Sequence, residues 1–436
     1  MTEDRLKWFR LDNSAKLYPV LVTRYTQSLF RVSVFLREEV DPETLNRALV
    51  EIMPRFPSFN VRLRRGLFWY FFEENTSSPR VFLDDGIVLK KINPRTNRHF
   101  LLTVLYYNSR ISIEFFHAIT DGLGGSEFIK ALVFQYYRLK GYNLDPGDSV
   151  IHIGKPFDER EIEDSFIVNH SKKTWKDVIK KTAKTIQGDN AYRIKGGYYE
   201  LPGYGIIEGI VDADKLLETA RSKSLTVTSY LGAAFLYAVY KLTDKKKFRP
   251  LTLFIPINLR GIFKSRTLRN FVLFSRAGIR EDKENLSFDD FARAIEKDIK
   301  EDIKYENIKD KMDSMVYLEK MWLMRVIPLP LKYLFFKIGK FLMWKNSHTA
   351  ILSNMGKIKI PESLEPFVEG IALNVNVSRN APVSIAVASC NNSTRIMVTT
   401  MLKERDIIRE FFRILTRDGL ELKVRSNLRE DKRYVL

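Results

Sequence analysis

The sequence predicts a protein of mixed α and β structure whose two halves repeat a similar order of elements. The 436 residues include 45% hydrophobic ones, which is enough to bury a large core. Strand patterns and helix patterns alternate along the whole chain, so the class is α/β or α+β with largely mixed sheets. A polar connection at about residues 141–197 separates the two halves.

The first half opens with a strand and a helix whose boundaries are marked by their own residues. Asp41 can cap the helix, Pro42 suits its first turn, and Pro54 stops it. A glycine-rich turn joins the last strand of this half to a helix at 123–137. The strands are predicted at 29–36, 59–63, 67–72, 100–107 and 111–116, the last two as a hairpin.

The second half begins in the same way, with a strand at 205–211, a helix capped by Asp212 and a second helix at 226–242. Ser287 and Asp290 form a capping-box pattern that opens a later helix, and a final helix follows Lys403. The repeat predicts an N-terminal lobe of residues 1–190, which includes the connection, and a C-terminal lobe of residues 191–436. Further strands are predicted at 251–255, 271–279, 371–377, 383–388 and 395–400.

The formal charge of +19 indicates either an anionic partner or a surface of solvated lysines. A nucleotide-bearing cofactor, an acidic carrier protein, a phospholipid surface and nucleic acid all fit the first description. Charge alone does not choose among them, because the basic residues are dispersed rather than gathered in one tail.

Three features of the sequence favour the cytoplasm. The N-terminus carries acidic residues where a secretory signal would carry a basic and then an apolar region. Cys390 is the single cysteine, which rules out an internal disulfide and fits a reducing compartment. The most apolar stretch, Met321–Trp344, is interrupted by lysine and arginine, so a transmembrane helix is not expected.

The strongest chemical signal is a histidine at the end of the predicted strand 111–116. His117 is followed four residues later by Asp121, and Gly122, Gly124 and Gly125 come directly afterwards. A neutral imidazole is well suited to accept a proton from an alcohol, amine or thiol. Glycines at the turn would let a bulky substrate approach the backbone closely.

Other interpretations of the same residues stay open from local sequence alone. His117 can be a core histidine with satisfied hydrogen bonds, and the glycines can simply form the turn. A metal site is disfavoured because His99, His152, His170 and His348 are scattered without ligand spacing. A phosphate cradle is disfavoured because the glycine spacing matches no nucleotide-binding loop and Asp121 would repel phosphate.

The segment His117–Gly122 matches the HxxxDG motif, and the chain therefore resembles the chloramphenicol acetyltransferase and condensation-domain superfamily. Within it, the microbial alcohol acetyltransferases look closest. Phe116 stands where many members carry an additional histidine, which argues mildly against a peptide-synthetase condensation domain. Supporting matches lie in family order at Arg55–Phe59, Phe68–Tyr70, Pro256–Arg260, Asn270 and Ser353–Gly356.

The resemblance implies an α/β fold of two similar lobes, each a mixed sheet flanked by helices, with a channel between them and His117 near its middle. It implies that His117 is the general base and that Asp121 pairs with Arg260 to hold the motif loop. Gly122 completes the catalytic motif, and Ser353 or Asn354 is the candidate donor to the oxyanion.

The implied reaction moves an acyl group from acyl-CoA, a co-substrate rather than a resident cofactor, to a small-molecule alcohol or amine. No metal is expected. Two alternatives remain: the same chemistry with a carrier-protein thioester, and a non-catalytic basic binding module on this fold. A carrier protein and a peripheral membrane contact are further candidate partners, whereas nucleic acid is not expected.

Two basic or apolar segments have competing interpretations. Lys245–Lys247 with Arg249 can meet the phosphates of coenzyme A, although cations that favour a helix C-terminus are the preferred interpretation. Met321–Trp344 can cover the acyl channel or rest on a membrane. The first is preferred, because Pro328 and Pro330 break any long amphipathic helix.

Overall fold

Two large mixed sheets, formed mostly from opposite halves of the chain, organise the structure. This computed structural model describes residues 8–23, 27–171, 189–200, 204–243, 249–281, 283–334, 347–429 and 432–433. Within these ranges, no helix is both long enough and apolar enough to cross a membrane. Lys245–Lys247 and residues 335–344 lie outside the described residues.

The strands are β1 (Trp8–Arg10), β2 (Leu29–Leu36), β3 (Val61–Arg65), β4 (Tyr70–Glu74), β5 (Val81–Leu83), β6 (Leu102–Tyr107), β7 (Arg110–Phe116), β8 (Gly205–Asp212), β9 (Leu251–Asn258), β10 (Val272–Ile279), β11 (Ala350–Lys357), β12 (Val368–Val375), β13 (Val383–Cys390), β14 (Ser393–Thr400), β15 (Lys423–Ser426), β16 (Leu428–Arg429) and β17 (Lys432–Arg433).

The α-helices are α1 (Tyr18–Leu21), α2 (Pro42–Ile52), α3 (Gly122–Leu139), α4 (Ser165–Asn169), α5 (Ala213–Ser222), α6 (Val227–Leu242), α7 (Arg260–Phe263), α8 (Phe288–Asp302), α9 (Tyr305–Lys320), α10 (Trp322–Val326) and α11 (Asp406–Arg417).

The sheet of the first half has five strands in the order β12-β2-β7-β6-β5. Strands β2, β7 and β6 are antiparallel neighbours, whereas β5 runs parallel to β6. Strand β12 comes from the second half and pairs antiparallel with β2. The second half therefore completes the sheet of the first.

The sheet of the second half has seven strands in the order β10-β9-β11-β13-β14-β8-β15. Strand β11 runs parallel to both β9 and β13, and the remaining pairs are antiparallel. Two small sheets add to these, β1-β4-β3 and the pair β16 and β17.

Local sequence signals set several helix boundaries as predicted. The carboxylate of Asp41 accepts hydrogen bonds from the backbone N–H groups of Glu43 and Thr44 at the start of α2. Ser287 and Asp290 form the predicted capping box of α8. The predicted mixture of strands and helices is confirmed, while the lobe boundary at residues 190 and 191 stays a prediction.

Buried charges lie where the two large sheets approach each other. Arg31 in the first sheet pairs with Asp84 and with Glu114, each at 2.6 Å. In the second sheet Arg395 pairs with Glu208, and both side chains are almost fully buried. A small cavity between the sheets is lined by residues of both, among them Arg31 and Glu208. Such charges are tolerated in the interior because each has an ionic partner.

The part of the polar connection around Glu161 packs against both halves of the chain. The guanidinium of Arg55 donates two hydrogen bonds to the carboxylate of Glu161, at 2.7 and 2.8 Å. The carbonyl of Glu161 accepts from the backbone N–H of Leu268 at 2.7 Å. The connection is thereby tied to the loop that approaches the HxxxDG motif.

Candidate active site

His117 directly follows β7, and its ring is enclosed by aromatic side chains. Its backbone N–H donates to the carbonyl of Ser28 at 2.9 Å, which holds the residue in line with the sheet. The Tyr18 ring stacks on the imidazole with centroids 4.3 Å apart, and Phe30 meets it edge-on at 4.9 Å. The residue as a whole is half-buried.

Asn270 binds the imidazole and determines which ring nitrogen carries the proton. Its Oδ1 lies 3.0 Å from Nδ1 of His117. Its Nδ2 faces three acceptors, the carbonyls of His117 and Ala118 at 2.9 and 3.4 Å and a carboxylate oxygen of Asp12 at 3.4 Å. Since Nδ2 faces these acceptors, Oδ1 accepts from Nδ1–H, and Nε2 keeps its lone pair.

The surroundings of His117 favour its neutral form. Burial lowers the pKa of His117 below its ordinary value, and its own backbone carbonyl, Asp121 and Asn270 oppose this effect. A histidine with a lowered pKa is neutral at neutral pH. Burial also raises the pKa of Tyr18, with Asp12 and Asp121 adding to the effect, so the stacked phenol stays protonated.

Asp121 uses its carboxylate to hold the motif loop and does not face the imidazole. It caps α3 by accepting from the N–H groups of Leu123 and Gly124 at 3.2 and 3.1 Å. Arg260 donates to both carboxylate oxygens, at 2.9 and 3.0 Å, and the Phe271 N–H donates at 2.9 Å. The carboxylate is therefore fully hydrogen-bonded and buried.

Arg260 extends this network into the loop that carries Asn270. Its Nε donates to the carbonyl of Thr267 at 2.7 Å, and its Nη2 donates to that of Arg269 at 2.6 Å. The pairing of Asp121 with Arg260 that the family resemblance implies is present, with the closest nitrogen and oxygen atoms 2.9 Å apart. The pair is buried, since only 9% of the Arg260 side chain is exposed.

The motif glycines allow the protein backbone to pack closely. A Cβ on Gly124 would lie 2.1 Å from the carbonyl oxygen of Leu268 and 2.2 Å from Oγ1 of Thr120. The interpretation that this glycine makes room for substrate is wrong, since other parts of the protein fill that space. A Cβ on Gly122 would meet Met355 at an ordinary contact distance of 3.5 Å.

The two candidates for the oxyanion donor lie on opposite faces of β11, because successive strand residues alternate. The side-chain amide of Asn354 donates to Oγ1 of Thr228 at 3.0 Å and is thereby engaged on α6. Ser353 lies on the other face. Met355, two residues further on, lies against Gly122 of the motif, so the end of β11 that carries Ser353 reaches the motif loop.

Sequence reasoning missed three residues of this site. Asn270 was a supporting match without a role, and Asp12 and Tyr18 were not singled out. Both of the latter lie about 100 residues or more from His117 in the chain, and no local pattern marks them. Among the described residues, no group of three or more His, Cys, Asp or Glu side chains is arranged to hold a metal ion.

No family model and no curated protein sequence matches this chain. Several solved structures are similar to it. Polyketide synthase associated protein 5 from Mycobacterium tuberculosis superposes with a TM-score of 0.59 at 13% identity, covering 93% of this chain and 96% of that one. The starter condensation domain of rhizomide synthetase RzmA, in complex with C8-CoA, gives 0.60 at 9% identity, covering 95% of both chains.

A third similar structure is TRI101 of F. graminearum, complexed with coenzyme A and deoxynivalenol. Its TM-score is 0.59 at 13% identity, with 92% of this chain and 96% of that one covered. The chain therefore has the two-lobed fold of these proteins, a condensation domain among them. The fold predicted from the HxxxDG resemblance is confirmed.

We expect Asp121→Asn to lower the free energy of unfolding by about 3–5 kcal/mol, because it removes the charge opposite a buried guanidinium. Chemical denaturation measures the loss. Asp406→Asn is the matched control: Asp406 pairs with Arg409 on the surface and is 69% exposed, so its loss should cost less than about 1 kcal/mol. Equal losses in the two variants would contradict a structural role for the buried pair.

Proposed function

We propose that the protein transfers an acyl group from acyl-CoA to an alcohol or amine, with His117 as the general base. The observation that carries this proposal is the hydrogen bond from Nδ1–H of His117 to Asn270. It leaves the lone pair of Nε2 available in a half-buried, neutral imidazole. A core histidine with both nitrogens engaged would not offer such a base.

The proposed reaction takes place in two proton-balanced steps. Nε2 takes the proton from the acceptor hydroxyl or amine as its oxygen or nitrogen attacks the thioester carbonyl carbon. The tetrahedral intermediate then collapses, the C–S bond breaks, and the imidazolium returns the proton to the leaving thiolate. The products are an ester or amide and free coenzyme A, with no covalent acyl-enzyme.

The imidazolium formed between these steps has partners already in place. Asn270 Oδ1 accepts from Nδ1–H, and the negative charge of Asp121 favours the protonated ring. Ser353 is our candidate donor to the oxyanion, because it lies near the end of β11 that reaches the motif loop through Met355. Asn354 is the weaker candidate, since its amide already binds Thr228.

Two of the similar structures support acyl-CoA as the donor: TRI101 holds coenzyme A, and the starter condensation domain holds C8-CoA. The net charge of +19 suits the phosphates of such a donor. A carrier-protein thioester is the alternative donor, since condensation domains share the fold, and the chemistry at His117 would be the same. Competition between acyl-CoA and an acylated carrier protein distinguishes the two donors.

We expect His117→Ala to lower the turnover of acyl-CoA about 10²–10⁴-fold while leaving the fold intact, because the variant lacks the general base. Free-thiol release measures turnover, and circular dichroism checks the fold. His99→Ala serves as control, since the His99 side chain is exposed. Full turnover in a well-folded His117→Ala protein would remove the mechanism.

The pH dependence of kcat/KM should follow the lowered pKa of His117. We expect the wild type to keep its rate below about pH 6.5, the ordinary histidine pKa, and to lose it only when Nε2 becomes protonated. In Asn270→Ala the rate should fall about 10²-fold from misplacement of the ring. Its acid limb should move to lower pH, because the Asn270 bond favours the protonated imidazole.

A shift of the acid limb in Asn270→Ala would show that Asn270 acts on the imidazole of His117 itself. A slower Asn270→Ala enzyme with an unchanged pH profile would show that Asn270 acts on the loop and not on the imidazole.

We expect Ser353→Ala to lower kcat about 10²–10³-fold, the usual effect of removing one oxyanion donor, with little change in KM. Asn354→Ala is the matched variant on the opposite face of β11 and should retain kcat. Steady-state kinetics with a saturating acceptor tests both variants. The reverse order of effects would transfer the role to Asn354.

A further inference from the structure

Exposed apolar side chains gather where the tip of the β3–β4 hairpin meets residues 328–334. The backbone N–H of Leu329 donates to the carbonyl of Leu67 at 2.9 Å. Nζ of Lys332 donates to the carbonyl of Phe68 at 2.8 Å and lies 3.8 Å from the centroid of a Trp69 ring. These contacts hold the hairpin tip and the helical segment together as one surface.

Several large apolar side chains on this surface remain in solvent. Leu67 is 69% exposed on the hairpin tip, and Trp322 is 73% exposed on the preceding helix α10. Large exposed apolar side chains that follow one another along a segment in this way often mark an interaction site. We call it the apolar patch, and it consists of Leu67, Phe68, Trp322, Val326, Leu331 and Leu334.

The exposure bears on the preferred interpretation of Met321–Trp344 as a segment that covers the acyl channel. Its described part, residues 321–334, breaks at Pro328 as the sequence predicts. It leaves Trp322, Leu331 and Leu334 largely in solvent, so these side chains do not cover a channel.

Cations flank the apolar patch. Arg65 precedes the hairpin tip, Arg325 lies on α10 between Trp322 and Val326, and both arginines are exposed. The neighbouring carboxylate of Glu73 is already paired with Arg62 and Arg64. The carboxylate of Glu319 is likewise paired with Lys16. The patch therefore combines an apolar surface with a cationic edge.

We propose that the apolar patch docks on an anionic lipid bilayer. Tryptophan favours the membrane interface, aliphatic side chains enter the acyl boundary, and arginines contact lipid phosphates. The cationic edge and the net charge of +19 complement an anionic surface. These features together favour a bilayer over a second copy of this chain, whose like-charged edge would repel the arginines.

The apolar patch is connected to the candidate active site through Trp69 and the segment that carries Lys16 and Tyr18. Nζ of Lys16 is 5.8 Å from the centroid of Trp69 in the hairpin tip. Two residues further along the chain, Tyr18 stacks on His117. Docking would thus bring the bilayer close to the His117 end of the first sheet. The inference does not depend on acyl transfer, because lipid binding is measured without turnover.

Flotation with unilamellar vesicles tests the proposal. The vesicles are phosphatidylcholine alone, or phosphatidylcholine with about 30% phosphatidylglycerol. We expect the wild type to float with the anionic vesicles, and the double variant Trp322→Ser with Leu331→Ser to lose about tenfold or more of this binding. Val424→Ser is the matched apolar control, since Val424 is 51% exposed on the edge strand β15.

A charge variant and a spectroscopic measurement complete the test. Arg65→Glu with Arg325→Glu should abolish the preference for anionic vesicles, whereas Arg425→Glu on β15 should not. Tryptophan emission should shift to shorter wavelength with anionic vesicles in the wild type and much less in Trp322→Phe. Absence of binding to anionic vesicles, or equal binding by the Trp322 and Leu331 double variant, would overturn the proposal. So would a dimer that depends on Leu331 and forms without vesicle binding.

Discussion

The ion pair between Asp121 and Arg260 is the constraint on which the setting of His117 depends. Asp121 belongs to the motif and caps α3, and Arg260 begins α7 in the other half of the chain. Through Arg269 and Phe271, the pair fixes the backbone on both sides of Asn270. Burying two charges is costly, and the cost is offset here because hydrogen bonds satisfy both groups. Asp121 and Arg260 thus orient the imidazole through the backbone around Asn270, without contacting the ring.

The environment of His117 combines two opposing effects on its basicity. Aromatic rings and burial lower the pKa of His117, while Asn270 and the charge of Asp121 raise it. A lower pKa keeps the ring neutral and ready to accept a proton, but it also makes a weaker base. The Asn270 contact offsets part of that weakness, because it stabilises the imidazolium once the proton has moved.

Features encoded by nearby residues were predictable from the sequence, and features that depend on distant residues were not. The caps at Asp41 and Ser287 and the hairpin before His117 follow from local patterns. The pairing of β12 with β2 joins residues more than 300 positions apart in the chain, so no local sequence pattern predicts it. The HxxxDG resemblance predicted the contact of Asp121 with Arg260, because a family motif records distant contacts that periodicity does not. The role predicted for Gly124 was wrong, because a glycine in the sequence indicates a close approach without identifying the group that approaches.

The second half of the chain is attached to the first in two ways. Strand β12 completes the first sheet, and Arg260 binds Asp121. The charged side chains of Arg31 and Glu208 line one cavity between the sheets. A wide separation of the halves would break the β12 ladder, expose paired buried charges and release Asn270 from His117. Each of these changes carries a large free-energy cost. Substrates are therefore expected to reach His117 along the interface between the lobes, with side-chain and loop motions admitting them, while the lobes stay together through the cycle.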